Sequence, residues 1–213
     1  MAGSTSLDGV NDHNSERLYA TDRVLVDRIV TNPLDNNVFL LTCAASRRSV
    51  IIDAASEADR ILELAAATEV RAVLTTHGHW DHVGAAAAVS TALNVPIYIG
   101  AEDAPLSGLP STHALTAGMI PLGELELDII ATPGHTPGSH SISVGPVIFT
   151  GDTLFPGGPG ATQSPAAFAH IMESLDTHLF TRPDDTLILP GHGLHTTIGA
   201  ERGSVEDWRR RGW

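Results

Sequence analysis

Lysine is absent from this chain, whose twelve basic residues are all arginine, and that excludes Schiff-base catalysis and a phosphate-cradling P-loop lysine. Cysteine occurs once, so no intrachain disulfide forms. Cys43 ends the apolar run of residues 38–43 and reads as a small buried hydrophobe rather than a reactive thiol. Positive charge is scarce: twelve cations face 25 acidic residues, for a formal net charge of −13. A phosphate backbone wants clustered cations, so nucleic acid is not an expected partner. The one cationic run, Arg209-Arg210-Arg211, reads as a solvated tail end with the capacity to hold an anionic substrate tail. There is no run of about eighteen apolar residues, and the opening residues are polar, without the apolar core of a secretory signal. No membrane partner is expected, and the expected location is cytoplasmic.

What is present suits one folded unit, with 213 residues, 42% of them hydrophobic and 17% charged. Residues 1–20 read as a flexible leader and residues 21–213 as a single domain. Apolar β-rich runs predict strands at residues 23–30, 37–43 and 49–52, the opening of an antiparallel meander. Residues 57–67 carry Ile61, Leu62, Leu64 and Ala65 at helical spacing, and residues 71–75 form a short strand. Residues 83–93 read as one Ala-rich helix, and 96–99 as another strand. Further strands are expected at 125–131, 141–144, 147–150 and 186–189. Ser164 and Pro165 start a helix as cap and first residue, with Phe168, Ile171, Met172, Leu175 and Leu179 on one apolar stripe.

The information is concentrated after the 71–75 strand, in Thr76-His77-Gly78-His79-Trp80-Asp81-His82. At this chain's own composition, His-x-His-x-Asp-His arises by chance in roughly two of a thousand such sequences, so the pattern asks for a chemical explanation. Imidazoles and a carboxylate at this spacing are metal donors. Three more candidates sit in tight Gly- or Pro-flanked turns after strands: His135 in Pro-Gly-His-Thr, Asp152 in Thr-Gly-Asp-Thr and His192 in Pro-Gly-His-Gly. Loops at the ends of a rigid sheet are where chemistry usually sits. Imidazole and carboxylate without thiolate suit zinc, with iron or manganese as alternatives. Asp53, at the end of a strand, reads equally as a support for a ligand histidine or as the cap of the helix that follows. Trp80 and His178 read as packing residues, His170 as solvated, and His140 and His195 as hydrogen-bonded loop residues.

Those four phrases together resemble the metallo-β-lactamase superfamily, over residues 22–205. The run Gly151-Asp152-Thr153-Leu154-Phe155 is most similar to its glyoxalase II branch, the hydroxyacylglutathione hydrolases. The resemblance implies an α/β fold, a four-layer αββα sandwich with the metals at one edge of its two sheets. It implies two divalent ions, His77, His79 and His135 holding the first, Asp81, His82 and His192 the second, and Asp152 both. It also implies hydrolysis of a small-molecule thioester by water activated between the ions, with Asp81 and Asp152 essential. A lactone or other ester is the alternative substrate, and a mononuclear-iron persulfide dioxygenase the alternative enzyme. Two features depart from these branches. The glyoxalase II phrase normally continues with Gly-Cys-Gly and a cation, whereas here it continues Pro156-Gly157-Gly158-Pro159-Gly160-Ala161-Thr162; the Cys-Gly-Arg-Thr-Asp run usual in the dioxygenases is also missing.

Overall fold

The computed structural model describes residues 10–11 and 15–212. Its elements are two sheets, each reached by half of the chain. The first has eight strands, β1 (Val10–Asn11), β2 (Ser15–Ala20), β3 (Val24–Thr31), β4 (Asn36–Cys43), β5 (Arg48–Ile52), β6 (Glu69–Leu74), β7 (Ile97–Ile99) and β8 (His113–Ala114), in sequence order. The pairs from β1 to β5 are antiparallel, and from β5 to β8 they are parallel. The second sheet holds β9 (Gly118–Leu122), β10 (Leu125–Ala131), β11 (His140–Val144), β12 (Val147–Gly151), β15 (Leu187–Pro190) and β16 (Thr196–Thr197), in the order β16-β15-β12-β11-β10-β9. A small hairpin, β13 (Leu154–Phe155) with β14 (Gly158–Pro159), follows β12.

The side-chain period of two explains the layering. In β4, Phe39, Leu41 and Cys43 enter the core between the sheets, while Val38 and Leu40 enter a second core under the helices of the first half. β12 and β15 do the same: Val147, Phe149 and Leu189 face the inter-sheet core, and Ile148 and Ile188 face a third core under the later helices. Strands apolar on both faces need cover on both faces. Helices α1 (Ala58–Ala65) and α3 (Ala86–Leu93) cover the first sheet; α5 (Pro165–Ser174), α6 (Ile198–Arg202) and α7 (Val205–Arg211) cover the second. The short helices α2 (Trp80–Val83) and α4 (Ala104–Ser107) lie in connecting segments. The result is the expected four-layer αββα sandwich.

Several expectations shift in detail. Ser15–Ala20, inside the expected leader, pairs with β3, because Leu18 has a place in the inter-sheet core; residues 1–9 and 12–14 lie outside the described residues. The Ala-rich stretch is two helices, α2 and α3. It breaks at Ala85, whose amide donates to the Ala54 and Ala55 carbonyls at 3.0 Å, and a Cβ on Gly84 would stand 2.6 Å from the Ala55 oxygen. α5 starts as expected, Ser164 Oγ accepting from the Ala167 amide at 3.1 Å, but its stripe continues into a π-helical turn, Leu175–Leu179. The wider turn buries Leu175 and Leu179 and leaves His178 exposed rather than at the core's edge. The arginine run is exposed on α7, which Trp208 anchors in the third core, so it is the last turn of a docked helix rather than a tail.

Phe149 is fully buried between the sheets and meets Phe39 edge-on, with ring centroids 5.1 Å apart. Phe149→Ala should cost about 3–5 kcal/mol in urea-induced unfolding, the range for emptying an aromatic site in a core that cannot fully collapse.

Candidate metal centre

β5, β6, β10, β12 and β15 all end at the same edge of the sandwich, and each is followed there by one of the loops singled out in the sequence. The edges of the two sheets are stitched together by backbone hydrogen bonds: the His140 amide donates to the Thr76 carbonyl at 2.8 Å, and the Asn37 amide to the Gly191 carbonyl at 2.8 Å. Close approach demands glycine at Gly191, where a Cβ would stand 2.4 Å from Asp152 Oδ1 and 2.5 Å from His82 Cε1. Gly151 has φ +48° and lies against Thr76, where a side chain would collide with the threonine hydroxyl.

All seven side chains proposed from the sequence meet here, in three overlapping groups: His77, His79 and His135; His77, His82 and Asp152; Asp81, His82 and His192. His79 Nδ1 is 3.0 Å from both His77 Nε2 and His135 Nε2, and His82 Nε2 is 3.2 Å from His192 Nε2. A tetrahedral ion with metal–nitrogen bonds of about 2.0–2.1 Å sets its nitrogens about 3.3 Å apart, so these separations match the edges of a coordination shell. Asp152 lies between the groups. Its Oδ1 is 3.4 Å from His82 Nε2, and its Oδ2 is 3.5 Å from His135 Nε2 and 3.7 Å from His192 Nε2. Oδ1 is buried and forms no hydrogen bond, the condition expected of an oxygen meant for a cation.

The outward nitrogens carry the same message. His82 Nδ1 meets Asp53 Oδ2 at 2.9 Å, His135 Nδ1 meets the Ala161 carbonyl at 2.7 Å, and His192 Nδ1 meets the Leu34 carbonyl at 3.0 Å. These oxygens are acceptors only, so each ring keeps a proton on Nδ1 and turns Nε2 inward, where a bound cation would take the place of any second proton. Asp53 therefore supports a candidate ligand and does not cap α1, whose N-terminal cap is Glu57. Burial, and then the surrounding imidazoles, hold His77 well below the usual histidine range and leave it neutral. Burial works against the charge on Asp81, but hydrogen bonds from His192 and Asn36 prevail and keep it ionised. Burial likewise opposes protonation of His82, and the Asp53 and Asp152 carboxylates reverse that, so its pKa is raised. The donor set thus fits divalent cations of the zinc, iron and manganese kind.

Two supports had no signal in the sequence. Asp103 is fully buried, and its carboxylate accepts from the amides of Gly78 and Gly138, both at 2.8 Å, and from Thr136 Oγ1 at 2.6 Å. It ties the loop of His77 and His79 to that of His135. Asn36, read only as part of a turn, donates from Nδ2 to Asp81 Oδ2 at 3.1 Å. Among the other residues weighed, His140 is buried and bonded to the Gly138 carbonyl at 2.9 Å, while His170 and His195 are exposed. Trp80 does not pack inside. The single turn of α2 buries His82 and Val83, which rotates Trp80 outward to 65% exposure.

The model of the metallo-beta-lactamase superfamily matches residues 31–192, a span that contains every one of these side chains. The chain belongs to that superfamily. A hydroxyacylglutathione hydrolase of Haemophilus influenzae, GloC, is 33% identical over 185 residues, covering 74% of this chain and 86% of that protein. Among solved structures of similar fold, TTHA1623 in a di-iron-bound form is 30% identical with a TM-score of 0.72, covering 82% of this chain and 96% of that one. ETHE1 from Myxococcus xanthus is 29% identical with a TM-score of 0.72, covering 82% and 80% respectively. Superfamily membership carries the expectation of metal-dependent hydrolysis, and the His and Asp groups fit it. Among the described residues no helix is long and apolar enough to cross a membrane.

Asp53→Ala should lower zinc affinity about 10–100-fold in a chelator competition, the usual cost of losing the partner of a ligand imidazole. Asp103→Ala leaves the buried Gly78 and Gly138 amides without an acceptor and should cost about 2 kcal/mol or more in chemical unfolding, at roughly 1–3 kcal/mol per unpaired group.

Proposed function

We propose that this protein is a dinuclear metallohydrolase of a small-molecule thioester. His77, His79 and His135 would hold one divalent cation and Asp81, His82 and His192 the other, with Asp152 shared. The observation that carries the reading is the orphaned, buried Oδ1 of Asp152 standing between the two donor groups. A single-ion site would leave Asp81, His82 and His192 gathered for no purpose. Bound at these positions, the cations would supply Lewis acidity toward a carbonyl oxygen and bring the pKa of a shared water to near 7.

The chain's own part is to orient, to exclude rivals and to set charge. Asn36 holds Asp81, and Asp53 holds His82, so the second donor group arrives pre-positioned. No side-chain nucleophile competes with water: lysine is absent, and Cys43 is buried in the inter-sheet core. The reaction then adds a water oxygen to the acyl carbon and breaks the carbon–sulfur bond, and the released proton ends on the departing thiolate. Two dications against Asp81 and Asp152 leave the reaction zone positive within an acidic chain, which favours a developing oxyanion.

The likeness to a hydroxyacylglutathione hydrolase supports the thioester over other substrates, as does Asp152, since β-lactamases of this superfamily typically carry Cys or Ser at that position. The likeness to a protein solved in a di-iron-bound form keeps the choice of metal open to iron. A cytoplasmic setting and the absence of nucleic-acid or membrane partners accord with the acidic composition and belong to this proposal.

Protein stripped of metal and reloaded separately with zinc, iron and manganese should hydrolyse thioesters only when loaded, with kcat/KM above roughly 10⁴ M⁻¹s⁻¹ for a good substrate. Asp81→Ala should lower kcat at least about 100-fold while leaving unfolding near that of the parent. Loaded protein that cleaves no thioester, ester or lactone would sink the hydrolase reading, and rapid oxygen uptake by the iron form with a thiol persulfide would replace it with the dioxygenase. Undiminished activity of Asp81→Ala would remove the second metal position.

A further inference from the structure

Asp81 and Asn36 do more than complete the donor set, for both also line a cavity of about 300 Å³ that leads away from it. Its apolar walls are Pro33, Ala55, Ala58, Trp80, Ala85 and Ala88, and Asn32 and Ser56 add uncharged polar ones. Small alanine side chains keep the space open, and Trp80, turned outward by the single turn of α2, forms a broad apolar side. An indole left 65% exposed beside a candidate ligand has no packing role among the described residues. Leu34, whose carbonyl fixes His192, and Leu194, two residues beyond that histidine, are also exposed, at 48% and 72%. The approach to the donor groups is thus apolar on more than one side.

Charge narrows what this cavity accepts. The charged residues in its walls are Glu57 and Asp81, both carboxylates. Glu57 is already satisfied, by the Asn32 amide at 2.7 Å and by Arg60 at 2.5 Å, and Arg60 is further committed to the Val30 carbonyl at 2.9 Å. No arginine lines the space. A carboxylate-bearing tail would find no partner here and an anion to repel it, whereas an uncharged alkyl group would replace water against alanine, proline and indole.

We propose that the cavity beside Trp80 is an acyl pocket, and that the substrate carries an uncharged apolar acyl chain of about three to six carbons, a size matched to small apolar sites. The inference rests on the hydrolase reading and adds the class of group that its substrate presents. Specificity is then set by burial of the acyl chain, and the thiol is recognised without an anion-binding site.

The test uses zinc-loaded protein and acetyl, butyryl and hexanoyl thioesters of N-acetylcysteamine, with S-butyrylglutathione for comparison. Burying two further methylenes should raise kcat/KM for butyryl over acetyl at least about tenfold, and S-butyrylglutathione should be no better than its uncharged counterpart. Ala88→Phe fills the cavity from an exposed position on α3 and should bring the butyryl-to-acetyl ratio near unity. A second readout needs no turnover: the uncleavable thioether S-butyl-N-acetylcysteamine should shield Trp80 from acrylamide quenching in the parent but not in Ala88→Phe, the Trp80 signal being the difference from Trp80→Phe. Shielding without turnover of any thioester would keep the pocket and sink the hydrolase reading. Turnover with a flat chain-length profile and no shielding would overturn the pocket and leave the hydrolase standing, as would a strong preference for the glutathione ester.

Discussion

A buried carboxylate survives only where donors or cations meet it, and the metal centre is organised around two that obey this rule in opposite ways. Asp53 is satisfied entirely by the protein: the Thr76 amide and hydroxyl each donate at 2.7 Å, and His82 Nδ1 lies at 2.9 Å. Asp152 has an oxygen that nothing among the described residues satisfies. The first carboxylate holds the loop that presents the donors, and the second needs what those donors hold. Remove the first, and the imidazole of His82 loses its tautomer as well as its orientation.

Asp103 ties that loop to the other sheet a second time, beside the backbone bond from His140 to Thr76. Three donors from two loops converge on its carboxylate, Gly78 from the first half of the sandwich and Thr136 and Gly138 from the second. The sandwich core is apolar and slides without direction, whereas a hydrogen-bonded carboxylate at the rim fixes one sheet against the other. His79 and His135 come from different sheets and reach 3.0 Å of one another, so a small slip there would separate them. Precision at the rim thus comes from buried polar bonds, and thickness from the apolar layers behind it.

This division explains what could be read from the sequence. The central strands were legible because β4, β5 and β12 are apolar on both faces and their runs are unbroken. The donors were legible because histidine is costly to bury without a purpose and clusters after strand ends. β9 was not, since Gly118–Leu122 carries Pro121 and is exposed along most of its length at the edge of the second sheet, giving neither alternation nor a continuous run. Asp103 and Asn36 left no trace because one aspartate or asparagine in a polar stretch has many local uses, and only tertiary placement selects among them. Trp80 was misread for a related reason. Aromatic residues usually pack, but the direction of this one is fixed by which neighbours in α2 must be buried, and the motif gives those neighbours a ligand's claim to the interior.

The rim also separates reaction from recognition. Several polar side chains at the strand ends are committed to a donor group or to holding one: Asp53 to His82, Asn36 to Asp81, Asp103 to both loops. Around the centre, Leu34, Trp80 and Leu194 are exposed apolar side chains. Apolar contacts discriminate weakly, about tenfold or somewhat more per methylene, so a site of this make would sort acyl groups by size and tolerate variation in the thiol. Of the exposed arginines of α7, Arg209 and Arg210 are paired with Asp176 and Asp207 on the helical face of the second sheet. In the proposed dinuclear site, two cations inside an apolar collar would attract a polarised carbonyl and leave the rest of the substrate to burial, which is the physical ground for placing selectivity in the acyl chain.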